Sequence, residues 1–390
     1  MIKITDKKNC SGCKACYNIC PRNCIKMSED MEGFSYPKVR VNDCVKCGLC
    51  EKVCPQLNIY VSKESYAEPT CLAAWNVDKA VRANSSSGGI FTSLAGWILS
   101  QDGVVFGAGY DVQHRVIHKE VHKIEGLNDL RGSKYAQSDI GDTYQSAKKY
   151  LEAGKSVLFT GTPCQIAGLN NFLQVEYERL YTCDIVCHGV PSPLVFEKYK
   201  QSLEESYNSK LTGINFRNKK NGWKSYKVAI QFANHREYSK TFIDDAYMKG
   251  FLRNYYLRPS CYSCTYAKLP RTSDITLGDF WGIASKYPEL DDDGGTSLLL
   301  INTDKGKAMF KASENNIKQC ECELQHAING NPSLISSVKE PKVREKFFKD
   351  LHTREFNYII KRYMSAPNTM EKNILFGKRV LRYIKKRIMA

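Results

Sequence analysis

Along most of this chain, short apolar runs alternate with longer segments whose apolar positions recur at helical spacing. "CLAAWNV" (71–77), "GVVFGAGYD" (103–111), "SVLFT" (156–160) and "LYTCDIV" (180–186) are nearly unbroken apolar runs, the pattern of strands covered on both faces. "SSSGGIFTSLAGWILS" (85–100) opens on serines and glycines and continues as an apolar helix. "TGTPCQIAGLNNFL" (160–173) predicts a turn and a helix directly after a strand. "SDITLGDFWGI" (273–283) and "GTSLLLINTDKGKAMF" (295–310) predict two further strand-containing units. Strands alternating with helices predict α/β layers around a mixed or parallel sheet. Neither a GxGxxG fingerprint nor a Walker A loop occurs, so neither nucleotide inference is available.

The texture changes at both ends. "VSKESYAEPT" (61–70) is polar and reads as a linker. After about residue 335 the α/β alternation is lost, and 342–364 and 371–390 read as helices. In the second, Ile374, Leu381, Ile384 and Ile388 recur at helical spacing, with basic residues on other faces. The expected organisation is a small module over 1–60, a linker over 61–72, an α/β domain over 73–335 and a helical basic tail over 336–390. The whole is an α+β or α/β protein.

The small module carries an internal repeat. "CSGCKACYNICP" places Cys10, Cys13, Cys16 and Cys20 before Pro21, and "CVKCGLCEKVCP" places Cys44, Cys47, Cys50 and Cys54 before Pro55, an offset of 34 residues. C-x2-C-x2-C-x3-C-P is the bacterial ferredoxin run, in which the fourth cysteine serves the other cluster. Cys10, Cys13, Cys16 and Cys54 are therefore expected on one [4Fe-4S] cluster, and Cys44, Cys47, Cys50 and Cys20 on the other. A pseudo-twofold, βαβ-like module with short strands in "CIKMSED" and "FSYPKVRV" fits this run. Zinc accepts four thiolates too, but usually from two C-x2-C pairs across a longer gap. Cys24 has no counterpart, since position 58 is Asn, and reads as a small buried residue.

With no apolar signal core at the start and no apolar run of transmembrane length, a cytoplasmic protein is expected, one with seventeen cysteines in 390 residues. In that setting the cysteines point to metal or redox chemistry rather than disulfides. The formal net charge of +16 invites a nucleic-acid reading, yet seven basic residues and one acid fall within 371–390 alone. With no helix-turn-helix, RNP or zinc-finger signature, nucleic-acid binding is not expected. The basic tail admits three readings: a peripheral helix on the inner face of an anionic membrane, a docking helix for an acidic partner, or a solvated helix.

Four more cysteines stand where α/β proteins place sites. Cys164 and Cys187 follow predicted strands directly, and Cys261 and Cys264 lie in the loop "RPSCYSCTYAK". They admit a third [4Fe-4S] cluster, a structural zinc site, or separate roles with a redox C-x-x-C. Cys183 falls inside a strand, and Cys71, Cys320 and Cys322 have no comparable setting. His188 reads as a packed loop residue or a proton donor. The loop Ser85–Gly89 opens a helix, where backbone N–H groups suit a cofactor phosphate; a plain serine N-cap is the alternative.

The ordered series "SSSGGIFTSLA", "RGSKYAQSD", "VLFTGTPCQIAGL", "CDIVCHGVPSP", "FRNKKNGW", "CYSCTYAKLPRTSDITLGDFWG" and "GTSLLLINTDKG" resembles the β-subunit family of coenzyme F420-reducing hydrogenase and F420H2 dehydrogenase. The resemblance spans about residues 70–330, and a preceding ferredoxin module is a common fusion in that family. It implies an iron–sulfur flavoprotein oxidoreductase in which FAD stands beside a [4Fe-4S] cluster. Hydride would pass to or from an organic substrate or a deazaflavin-like cofactor. By this resemblance Ser87, Gly88, Gly89, Lys134, Thr162 and Asp279 become flavin contacts, and Cys164, Cys187, Cys261 and Cys264 ligands of the third cluster. A redox partner protein or ferredoxin is implied as well. Two other roles stay open: an electron-transfer adaptor with no substrate pocket, and a reductase associated with polysaccharide synthesis.

Overall fold

The computed structural model describes residues 1–62 and 64–365. The module over the first 60 residues contains an antiparallel pair, β1 (Ile25–Glu29) and β2 (Ser35–Val39), and two short helices, Ala15–Asn18 and Leu49–Lys52. These helices stand 34 residues apart, as do the cysteine runs that contain them. The backbone repeats even where the residues do not. Gly12 and Lys46 both have positive φ (71° and 53°), and so do Lys14 and Gly48 (58° and 76°). Each run thus bends at the same two places, with glycine and lysine exchanged. A non-glycine residue in this region costs about 1–2 kcal/mol, so both bends are held by something stronger than local preference.

Eight strands form the main sheet: β3 (Thr70–Asn76), β4 (Val104–Tyr110), β5 (Val116–Val121), β6 (Val157–Gly161), β7 (Leu180–Ile185), β11 (Ile275–Asp279), β12 (Ser297–Ile301) and β13 (Ile317–Glu321). Between β7 and β11 in the chain, β8 (Leu211–Asn218), β9 (Lys227–Phe232) and β10 (Glu237–Thr241) make a separate antiparallel sheet. The main sheet runs β13-β3-β12-β11-β7-β6-β4-β5. Its four central strands, β4, β6, β7 and β11, are parallel, and antiparallel strands flank them on both sides. The sheet is therefore mixed, within the expected class. Helices Ile90–Ser100 and Asp304–Ser313 bury Leu94, Ile98, Met309 and Phe310 on one face; Thr143–Glu152 and Pro163–Leu173 bury Tyr144, Leu151, Ile166 and Phe172 on the other. Covering both faces explains the unbroken apolar runs of the central strands.

Three expectations change. The strand β3 begins at Thr70, inside the segment read as linker, and that segment is laid against the body. Tyr66 N donates to Asn302 O (2.7 Å), Tyr66 Oη to Asp304 Oδ1 (2.6 Å) and Ser65 Oγ to Arg271 O (2.9 Å). The helix after the loop Ser85–Gly89 starts at Ile90, and its N-cap is Gly89 at φ +87° rather than a serine. Finally, the tail is not separate as far as residue 365. Helix Arg344–Thr353 and the turns Phe356–Ile359 and Ile360–Met364 bury Phe347, Leu351, Ile359 and Met364 in one cluster with Phe251, Tyr256 and Leu257. The basic helix expected over 371–390 lies outside the described residues. Among the described residues no helix is long and apolar enough to cross a membrane.

The cysteine-rich module is bonded to the body on several sides. Gln137 Nε2 donates to Ser11 O (3.0 Å), Asn18 Nδ2 to Gly141 O (3.0 Å), Tyr266 Oη to Pro55 O (2.7 Å) and Asn171 Nδ2 to Asn58 O (2.8 Å). Lys14 pairs with Asp139 (2.5 Å), and Arg344 Nη1 donates to Glu32 Oε1 (2.8 Å).

Candidate functional site

Two groups of thiols lie within the module. Cys20, Cys44, Cys47 and Cys50 line one pocket, together with Cys24, Arg22, Lys46 and Gly48. Cys47 is exposed there, and Ile2 N donates to Cys50 Sγ (3.3 Å). Cys10, Cys13, Cys16 and Cys54 form the other group, each within electrostatic reach of the others. The fourth cysteine of each run thus stands with the first three of the other run. Cys24 is buried, as expected of it, but it is not isolated. Its sulfur lies 3.3 Å from Cys20 Sγ, and burial with that neighbour pushes its thiol up to about 11.

A third group is assembled from three separate stretches. Helix Pro163–Leu173 presents Cys164 in its first turn, capped by Thr162, whose backbone N completes the reciprocal cap by donating to Gln165 Oε1 (2.9 Å). Cys187 follows β7, and Cys261 and Cys264 belong to the short turn Pro259–Ser263 and its end. Burial, then the neighbouring thiols Cys261, Cys164 and Cys264, holds the Cys187 thiol well above its ordinary value. Burial likewise pushes Cys164 up to about 11 and Cys261 up to about 12. The module meets this group closely. A Cβ on Gly168, one helical turn beyond Cys164, would stand 3.0 Å from Cys13 Sγ.

The donor set suits sulfur ligation of a cluster. Thiols this desolvated stay protonated on their own; only a bound metal charge ionises them. Hydrogen-bond donors point at the sulfurs: Val190 N at Cys261 (3.4 Å) and Arg258 Nη2 at Cys10 (3.4 Å). Three buried hydroxyls beside the thiols, on Ser11, Tyr36 and Thr265, have no partner among the described residues. Orphaned hydroxyls next to ligand sulfurs match the extra acceptors that a cluster's sulfides provide. Among the described residues, no three His, Cys, Asp or Glu side chains close tightly enough for a single ion.

The residues singled out as flavin contacts sit around the carboxyl ends of the parallel strands, but most of their polar atoms are engaged within the protein. Ser87 Oγ donates to Thr296 O (2.8 Å), and Gly88 N to Ser297 Oγ (2.9 Å). A Cβ on Gly88 would collide with Ala74 O, so close packing against β3 accounts for this glycine. Asp279 accepts from Arg217 Nη2 (2.7 Å) and Trp223 Nε1 (2.8 Å), while Trp223 stacks on Trp281 with centroids 4.6 Å apart. Lys134 Nζ donates to Arg131 O (2.7 Å); burial brings its ammonium down to about 7. His188 packs edge-on against Phe251 and bonds Asn254 Oδ1 (2.6 Å), the packed-loop reading.

His118 was not anticipated. It is buried at the same end of the sheet, stacked on Phe159. Its Nε2 donates to Thr160 O (2.9 Å), which fixes the tautomer and leaves Nδ1 to accept from Ser138 Oγ. Burial, acting first, lowers its pKa from 6.5 to about 4. The unfolded chain therefore binds a proton before the folded one as pH falls. Stability should decline by about 3 kcal/mol between pH 6.5 and 4. Thermal unfolding followed by circular dichroism across that range checks this, and His118→Gln should flatten the decline.

Residues 154–324 match the family model for the C-terminal part of the coenzyme F420 hydrogenase/dehydrogenase beta subunit, and residues 9–58 match the "4Fe-4S dicluster domain". An uncharacterized protein of Methanocaldococcus jannaschii is 24% identical over 355 residues, covering 80% of this chain and 89% of its own length. The ketoisovalerate oxidoreductase subunit VorC of Methanothermobacter marburgensis is 32% identical over 57 residues, 14% of this chain and 72% of that protein. A chain of the F420-reducing [NiFe] hydrogenase complex from Methanosarcina barkeri superposes with a TM-score of 0.45 at 17% identity, over 70% of this chain and 93% of that one. The chain is thus of iron–sulfur oxidoreductase type, with a domain of the coenzyme F420 hydrogenase/dehydrogenase beta-subunit family over residues 154–324 and a 4Fe-4S dicluster domain over residues 9–58.

Proposed function

We propose that this protein converts between single electrons and hydride, linking a redox partner protein to an organic or deazaflavin-like substrate through three [4Fe-4S] clusters and FAD. When bound, the clusters supply one-electron steps and the flavin the exchange between one electron and hydride. Cys20, Cys44, Cys47 and Cys50 would hold the distal cluster, Cys10, Cys13, Cys16 and Cys54 the proximal one, and Cys164, Cys187, Cys261 and Cys264 the third. The observation that carries the reading is their succession. The exposed Cys47 marks one end, and Cys13 lies against the helix that starts the third group.

The flavin belongs, on this reading, at the carboxyl ends of β4, β6, β7 and β11, where open α/β sheets take ligands. The loop Ser87–Gly89, Lys134 and Thr162 border that edge. Lys134, buried beside Tyr110, is placed to hold or release a proton near neutral pH. Asp279 would act indirectly, by fixing Arg217 and Trp223. A second reading, an adaptor without flavin, gains from the internal engagement of Ser87, Gly88 and Asp279. Anaerobic purification with iron, sulfide, zinc and flavin analysis separates the two. About twelve irons and one FAD per chain are expected. About eight irons with one zinc would remove the third cluster, and a full iron complement without flavin would favour the adaptor.

A further inference from the structure

Arg258 is a buried cation without a carboxylate. Its side chain is 1% exposed and lies between the module and the body. Nε donates to Cys10 O (2.6 Å), Nη1 to Gln137 Oε1 (2.9 Å), and Nη2 to Ser35 O (3.0 Å) and Cys10 Sγ (3.4 Å). The guanidinium also lies over Tyr36, 4.4 Å from the ring centroid. Among the described residues no carboxylate is within ion-pair distance of it. The acids of the neighbouring hairpin are taken elsewhere, Asp30 by Lys7 (2.5 Å) and Glu32 by Arg344 (2.8 Å).

An arginine keeps its charge in a protein, and a buried charge is held only where an opposite charge answers it. The anionic groups that a bound cluster would bring here are its ligand thiolates. Cys10 is in direct contact, and the field of Arg258 reaches Cys164 and Cys261. The approach is built into the ferredoxin run itself. A Cβ at Gly12 would stand 2.7 Å from Arg258 Nη1, so a side chain there would push the guanidinium aside. Arg258 also precedes Cys261 by one turn, and Cys261 N donates to its carbonyl (2.9 Å). One short stretch thus supplies both a cation to the proximal thiols and two thiols to the third group.

The geometry points to Arg258 as the counter-charge of the proximal cluster, the residue that sets its reduction potential and hence the ease of the step to the third group. The inference rests on the ligand assignment above. A cluster gains one negative charge when it accepts one electron, and a fixed cation 3.4 Å from a ligand sulfur favours that state. The guanidinium takes no part in the transfer itself.

Redox titration of the anaerobically purified full chain, monitored by electron paramagnetic resonance, tests this. The proximal signal is identified by its loss in Cys54→Ser. In Arg258→Gln the proximal cluster should be at least tenfold harder to reduce at a given poise, about 59 mV more negative for one electron. The distal cluster should not move, and Arg258→Lys should retain most of the wild-type value. Gln137→Glu keeps the arginine but sets a carboxylate beside it, and should shift the proximal potential in the same direction. That variant decides the matter if Arg258→Gln loses iron. A proximal potential within twofold of wild type in Gln137→Glu, with iron complete, overturns the inference. An equal shift of both clusters in Arg258→Gln does so as well. Missing proximal iron in the wild-type chain would instead overturn the ligand assignment.

Discussion

On the three-cluster reading proposed above, Cys264→Ser should lose about four of about twelve irons and interrupt electron flow between the module and the proposed flavin. The third group is gathered from a helix start, a strand end and a loop, and the neighbouring Cys13 is assigned to the proximal group. Cys183 is the nearest in sequence to Cys187, but it is buried within β7. Outer-shell substitutions at metal sites already cost roughly 10–100-fold in affinity or activity, so removal of a ligand should exceed that range. The variant should still show both ferredoxin-type signals, because their eight cysteines lie in the module. Iron analysis combined with stopped-flow reduction of the flavin reads both effects. Full iron with an undiminished rate would return Cys261 and Cys264 to the role of a dithiol pair.

The second large effect concerns which cluster fails when the fourth cysteine of a run is changed. Cys54→Ser should release about four irons and expose Cys10, Cys13 and Cys16 to alkylation, while Cys44, Cys47 and Cys50 stay protected. Cys20→Ser should do the reverse. Mass-spectrometric mapping of alkylated cysteines after mild anaerobic labelling separates this from ligation within each run, which predicts the opposite pattern. The proximity of Cys54 to Cys10 and Cys13, and of Cys20 to the pocket of Cys44 and Cys47, is the basis for the expectation.

The cysteine pattern was legible because a cubane imposes its own spacing on the chain, and the repeat then exposes each ligand's counterpart. The central strands were legible because burial on both faces leaves long apolar runs. Cys164 and Cys187 could be singled out from their places after strands, and Cys261 and Cys264 from their C-x-x-C spacing in a loop, although sequence alone leaves iron and zinc open. Other features give little signal. β9 buries Val228, Ile230 and Phe232, an alternating set that was readable yet easily passed over between polar loops. Arg258 stands before a proline in a polar stretch and looks like any surface arginine; only the meeting of residues 248 positions apart reveals it. Ser87 and Gly88 carry the composition of a phosphate loop, but the adjacent strand, distant in sequence, claims their polar atoms. The docking of residues 344–364 is likewise a long-range matter, since an amphipathic helix does not name the surface that it covers.

The bonds that tie the first 60 residues to the body run through Asn18, Pro55, Asn58, Glu32 and Arg258, on several sides of the module at once. Such a module cannot act as a swinging arm that carries electrons from place to place. Its thiols keep one separation from those of the body. The time an electron spends between them is then governed by tunnelling across a fixed gap, and collision is needed only where an outside partner meets the exposed end.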